Sequence, residues 1–183
     1  MSRIAPLSAD ILPDEARAVF DEMNSYGPFG NLVGAMAHRP AILKNLFGML
    51  LDLRDEAVLP RRALELALVT VSKLNECTYC ISHHAPMLEV AGLSAEGIAR
   101  LPDVDDHPEL DAVDKMVVRY AVAVTTRANR MRDAEVTDLR AHFTDAQIVE
   151  LTWRIALCGA FNRFNDALQL TLEEGVEEAP AST

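Results

Sequence analysis

The sequence is short of aromatic residues, of basic charge and of cysteine. Aromatics make up 5% of 183 residues, while Leu, Ala, Val, Met and Glu dominate, a composition that favours helices over strands. No Asn-Gly or Asp-Gly pair occurs, so the strongest hairpin cue is missing. Lysine and arginine number 17 against 28 acidic residues, a formal net charge of -11. Such a surface repels a phosphate backbone, and no nucleic-acid partner is expected. No apolar run approaches the roughly 20 residues of a membrane span, and no membrane association is expected. The start lacks a basic stretch followed by an apolar one, so a secretory signal is not expected either. Three cysteines do not make a disulfide framework, and the default compartment is the cytoplasm, with thiols that begin reduced.

What is present is helical punctuation. Pro13, Asp14 and Glu15 open a helix running to about Ser25. A short helix from Asn31 ends at His38–Arg39, and another spans 40–53. Pro60 opens a helix reaching Leu74, whose stretch ALELALVTV is apolar nearly all round and is expected to be buried. Asn75 is the expected cap of the next helix, which runs to Ala91 before Gly92, with Pro86 bending it or fraying its end. Ser94 starts a short helix, LPDVDDHPE reads as a loop, and helices follow at 110–127 and 133–142. Thr144 and Gln147 form a capping box for a last long helix ending near Gly175. The pattern predicts an all-α, single-domain helical bundle over 1–175 and a disordered tail at 176–183.

Chemistry concentrates in ELALVTVSKLNECTYCISHHAPM, residues 65 to 87. On a helix, Cys77, Cys80 and His84 fall within about 60° of arc, and Met87 continues that face as an apolar wall. Tyr79 points away from it, and His83 sits beside Cys80. A Cys-X-X-Cys pair closes a disulfide with little backbone movement, and a helix start stabilises a thiolate at Cys77. Glu65 is the lone ionisable residue in its apolar run. Buried, it must find a donor, with Arg61 and Arg62 within reach, or become protonated. A carboxyl with a raised pKa beside a histidine and a thiol would serve as a proton shuttle. Asn162, Arg163, Asn165 and Asp166 interrupt the last helix with polarity, which suits hydrogen bonds behind the site or a subunit contact. Cys158 reads as a small buried hydrophobe. A structural zinc site would need a second chelating pair, which neither Cys158 nor His38, His107 and His142 supply, so no structural zinc is expected.

Glu65, eleven intervening residues and then CTYCISHH resemble the alkyl hydroperoxidase D branch of the carboxymuconolactone decarboxylase-like superfamily. The flanking stretches NLFGMLLDLRDEAVLPRRALELALVTVSKLN and AGLSAEGIARLPD are also similar, and the likeness covers most of residues 30 to 170. The resemblance implies a helical fold assembled as a homo-oligomer, trimeric or hexameric, and a thiol peroxidase or disulfide reductase that needs no haem, flavin or metal. Cys80 would attack an organic hydroperoxide and Cys77 would close the disulfide. Glu65 and His84 would relay the proton, and a dithiol or thioredoxin-like partner would restore the thiols. The helix-start argument points instead to Cys77 as the more acidic thiol. Where the best-known branch has a relay histidine between the cysteines, this chain has Tyr79, leaving His83, Asn162 and Asn165 as further relay or supporting candidates. The competing readings are a lactone decarboxylase of the carboxymuconolactone type and a non-enzymatic redox-sensing subunit.

Overall fold

The structure, a computed structural model, describes residues 1–179. Among them nine α-helices form and no strand: α1 (Asp14–Tyr26), α2 (Gly30–Met36), α3 (Pro40–Glu56), α4 (Arg61–Leu74), α5 (Thr78–Val90), α6 (Ala95–Arg100), α7 (Ala112–Arg127), α8 (Asp133–Arg140) and α9 (Asp145–Leu168). Single 3-10 turns lie at Ala9–Ile11 and Ala128–Arg130. The all-α architecture is the one the composition predicts.

The helices group into two compact units, one of residues 1–57 with 165–177, the other of residues 58–164 joined by 178 and 179. In the first, α1 packs on α2 and α3 and buries Phe20, Met23, Leu43 and Phe47. The Arg3 N–H donates to the Leu168 carbonyl at 2.8 Å and the Asn31 N–H to Glu173 Oε1 at 2.7 Å, which ties the segment after α9 to the start of the chain.

The second unit is organised around α4. Every residue from Ala63 to Ser72 is buried, as an all-round apolar pattern requires, and α5 and α7 pack most extensively against it. Leu66, Val69 and Val71 are fully enclosed, and each side chain contributes about 1.5–3 kcal/mol by leaving water. Arg62 fastens the start of this helix to two neighbours. It donates to both carboxylate oxygens of Asp114 on α7, to the Ala91 carbonyl just past α5, and to the Glu109 carbonyl.

Two helix ends differ from expectation, for one physical reason. Asn75 does not cap α5; it is the C-cap of α4, and Cys77 is the N-cap of α5. The last helix stops at Leu168 rather than near Gly175. In both places a residue other than glycine takes the left-handed conformation, Glu76 at φ 56° and Gln169 at φ 49°. The N–H of Glu76 returns to the Lys73 carbonyl and that of Cys77 to the Ser72 carbonyl. Gln169 and Leu170 repeat the pattern on Asp166 and Asn165. This double return is the Schellman closure, which glycine usually signals in a sequence. Gly92 closes α5 the same way, as expected, at φ 93°, and the helix runs through Pro86 to Val90. Of the tail, residues 176–179 have no regular secondary structure, and the Ala179 N–H donates to Ser82 Oγ at 2.8 Å. The remainder of the expected disordered segment, 180–183, lies outside the described residues.

Glu76 is exposed, so its left-handed backbone is strained without compensation from burial. Glu76→Gly is expected to raise unfolding stability by about 1 kcal/mol in urea titrations while keeping the turn. A drop in stability would show that the Glu76 side chain contributes more than the strain costs.

Candidate active site

The turn that closes α4 delivers Cys77, and α5 then presents Cys80 and His84 on one face, four residues apart. That face meets α4, where Glu65 lies three helical residues below Leu68 and seven below Ser72. The Glu65 side chain is 2% exposed, yet both carboxylate oxygens are engaged: Oε1 takes the Arg61 Nε–H at 2.7 Å and Oε2 the His84 Nδ1–H at 2.9 Å. The carboxylate is a pure acceptor, so the ring proton of His84 sits on Nδ1. Burial alone pushes the Glu65 carboxyl up. The charge and hydrogen bond of His84, with the charges of Arg61 and of Arg154 on α9, outweigh it and hold the group below the ordinary carboxylate range. Of the two outcomes the sequence allows for Glu65, the donor has won and the raised pKa has not.

Both active-site candidates among the cysteines are buried thiols, Cys77 at 0% and Cys80 at 6% exposure. Cys77, at the N-cap, is the more enclosed of the two. Tyr79 and His83, the latter one turn after Cys80, are both buried on α5. Their rings stack at 4.3 Å, and the His83 Nδ1–H donates to the Tyr79 carbonyl at 2.7 Å. Tyr79 thereby braces His83 within the helix.

Behind the cysteine turn lies a polar cluster that joins α9 to α4. Asn162 is fully buried; its Oδ1 accepts from Asn75 Nδ2 at 2.9 Å and its Nδ2 donates to Ser72 Oγ at 3.3 Å. Ser72 Oγ donates to the Leu68 carbonyl at 2.8 Å and lies 3.4 Å from Cys158 Sγ. The cluster grips both sides of the turn that carries Cys77. Burial pushes the Cys158 thiol up to about 12; the Ser72 hydrogen bond opposes this and the charge of Cys77 adds to it. Cys158 therefore stays protonated, a hydrophobe with a weak hydrogen bond, as its isolation in sequence suggests.

Of the expected site residues, Glu65 and His84 touch, Cys77 and Cys80 flank them on α5, and Asn162 supports the turn. Asn165, one turn after Asn162 on α9, is buried as well, and its carbonyl accepts the Leu170 N–H. Sequence reasoning missed Ser72 and Arg154 because both act across helix contacts. Arg61 had a local cue, its position one turn before Glu65. Among the described residues no group of three or more His, Cys, Asp or Glu has a metal-holding arrangement. No described helix is long and apolar enough to cross a membrane.

Residues 40–106 match the carboxymuconolactone decarboxylase family, a span that includes Glu65, both cysteines of the pair and His84. No curated protein matches the chain. Solved structures do. An alkylhydroperoxidase AhpD core protein from Ralstonia eutropha JMP134, described as an uncharacterized peroxidase-related protein, superposes with a TM-score of 0.76 at 21% identity, covering 94% of this chain and 93% of that one. The debrominase Bmp8, in complex with 2,3,4-tribromopyrrole, gives 0.73 at 18% identity over 93% and 91%. A putative antioxidant defence protein AhpD from Agrobacterium tumefaciens gives 0.60 at 24% identity over 70% and 90%. Residues 40–106 are thus similar to the carboxymuconolactone decarboxylase family, and the chain shares the all-helical fold of the AhpD-like structures.

Because the native state holds Glu65 ionised more strongly than the unfolded chain does, its stabilisation is full above the ordinary carboxylate range and is lost as pH falls through the lower native value. The stability gap between wild type and Glu65→Gln is expected to shrink over that acid window in denaturant titrations. A gap independent of pH would mean that the carboxylate is not preferentially ionised when folded.

Proposed function

We propose that the protein is a thiol-dependent peroxidase or disulfide reductase that reduces organic hydroperoxides through Cys80 and Cys77. The observation that carries this reading is the Glu65–His84 contact, set one helical turn beyond Cys80 on the face of α5. A buried carboxylate that fixes the histidine proton on Nδ1 leaves Nε2 to exchange protons with the reacting groups.

In this cycle the Cys80 thiolate attacks the peroxide; an S–O bond forms, the O–O bond breaks, and the alcohol leaves with a proton passed through His84. Cys77 then attacks the sulfenic sulfur, water leaves, and a disulfide closes. A dithiol or thioredoxin-like reductant in the cytoplasm returns both thiols. The greater enclosure of Cys77 supports Cys80 as the peroxide-facing sulfur and Cys77 as the resolving one, against the helix-start argument. Tyr79 in place of a second relay histidine shortens the relay, and His83, stacked on Tyr79 and one turn after Cys80, is a further relay candidate.

The fold does not choose the reaction, since a debrominase shares it. The Cys-X-X-Cys pair beside a histidine favours thiol redox chemistry over lactone decarboxylation, which makes no use of such a pair. Turnover with a dithiol separates the enzyme from a redox-sensing subunit. We also read the protein as a homo-oligomer, trimeric or hexameric. Val149 and Trp153 on α9 stand 68% and 46% exposed on one face, a surface suited to a second copy.

One equivalent of tert-butyl hydroperoxide is expected to remove two hydrogens from the reduced protein, mapped to a Cys77–Cys80 bridge by peptide mass spectrometry. Cys80→Ser abolishes peroxide reduction, and Glu65→Gln slows it by about 10²-fold, the lower range for losing acid–base assistance, without unfolding the protein. Full activity in Cys80→Ser would end the proposal. In sedimentation velocity, Trp153→Glu is expected to shift the protein toward monomer.

A further inference from the structure

We propose that Met87 is a peroxide-oxidation site whose sulfoxide loosens the arginine that holds the relay carboxylate. The inference rests on the peroxide-reducing reading above and extends it to control of the same site. Met87 follows Cys80 and His84 on the same face of α5, at successive turns. It is half-buried and lines an open cavity of about 480 Å3 with Arg61, Arg62, Val90 and Ala91. Val90 on the rim is 91% exposed, so the cavity that Met87 lines opens to solvent.

The sulfur is already bonded to the site. Arg61 Nη2–H donates to Met87 Sδ at 3.1 Å, and the same guanidinium donates through Nε to Glu65 Oε1 at 2.7 Å. One planar cation thus spans the thioether and the carboxylate that orients His84. A thioether is a weak acceptor, whereas a sulfoxide is polar and carries a strongly accepting oxygen. Oxygen transfer from a hydroperoxide forms the S–O bond and breaks the O–O bond; the alcohol leaves with its proton, Met87 is oxidised by two electrons and the peroxide is reduced by two. No further reactant is needed. The guanidinium then turns toward the new oxygen and relaxes its hold on Glu65. Turnover at Cys80 falls until a methionine sulfoxide reductase restores the thioether. The device limits activity when peroxide outruns the reductant.

The other methionines provide internal controls. Met23 and Met36 are buried, while Met116 and Met131 are half-buried like Met87. The experiment treats full-length wild type and Met87→Leu with excess tert-butyl hydroperoxide, restores the thiols with dithiothreitol, and reads three things: oxygen gain by peptide mapping, turnover, and the His84 ring chemical shifts by NMR. Met87 is expected to gain oxygen ahead of Met116 and Met131. Turnover of treated wild type falls at least about threefold, a partial loss of acid–base assistance, and recovers with methionine sulfoxide reductase. Met87→Leu keeps its turnover through the same treatment. The charged groups around the ring and its carboxylate are Arg61 on α4 and Arg154 on α9, with Glu65 itself. Turning the Arg61 guanidinium away from Glu65 changes the surroundings of the ring, so the His84 ring resonances shift in treated wild type alone. That shift requires no turnover, so it is read even if the protein proves not to be a peroxidase. Met87 oxidising no faster than Met116, an equal loss of turnover in Met87→Leu, or unmoved His84 ring resonances would each overturn the proposal.

Discussion

A carboxylate with almost no access to water is the constraint on which the second compact unit depends. Glu65 sits among the apolar residues of α4, where an uncompensated charge costs several kcal/mol. It remains ionised because Arg61 meets it from one turn earlier and His84 from the facing helix. The second of these bonds fixes the rotation of α5 against α4. Once His84 faces Glu65, helical geometry leaves Cys80 one turn before it and Met87 one turn after it on the same seam. An apolar residue at position 65 would pack at least as well. The charge is better explained by what it does to the imidazole than by any gain in stability.

The other end of the seam is set by backbone rather than by charge. The left-handed Glu76 lets α4 close on its own carbonyls and hands Cys77 to α5 as the N-cap residue, within a single turn of chain. Asn162, reaching in from α9, holds both Asn75 and Ser72 and so steadies that turn from behind. The thiol pair is thereby placed by a strained residue, a buried amide and a helix start acting together. Strain of this kind persists only where neighbours over-determine the conformation, and the polar cluster provides that. Cys158 joins the cluster as a buried thiol whose burial favours the protonated form.

The neighbouring pair Arg61 and Arg62 shows how one helix start can serve both structure and chemistry. Arg62 is engaged by Asp114 and by two carbonyls and fastens α4 to α7 and to the end of α5. Arg61 faces the other way, toward Glu65 and Met87, at the mouth of the cavity. With helix geometry turning them about 100° apart, adjacent identical residues acquire unrelated roles.

Much of this was readable in the chain itself. Helical composition, the buried character of ALELALVTV, the capping box at Thr144 and Gln147, and the shared face of Cys80 and His84 all follow from local spacing, because helical periodicity is a property of consecutive residues. The need of Glu65 for a partner was equally plain, since the cost of burying a charge does not depend on the fold. Tertiary structure decided which partner it took and which way its pKa moved. It set Arg61 and not Arg62 on the carboxylate and brought in Arg154. It also ended α4 and α9 where no glycine marks the stop, since a left-handed Glu or Gln is tolerated only when the returning hydrogen bonds and the packing around them repay the strain. Sequence determines what each residue requires; only the folded chain, by bringing distant helices into contact, determines which neighbour meets the requirement.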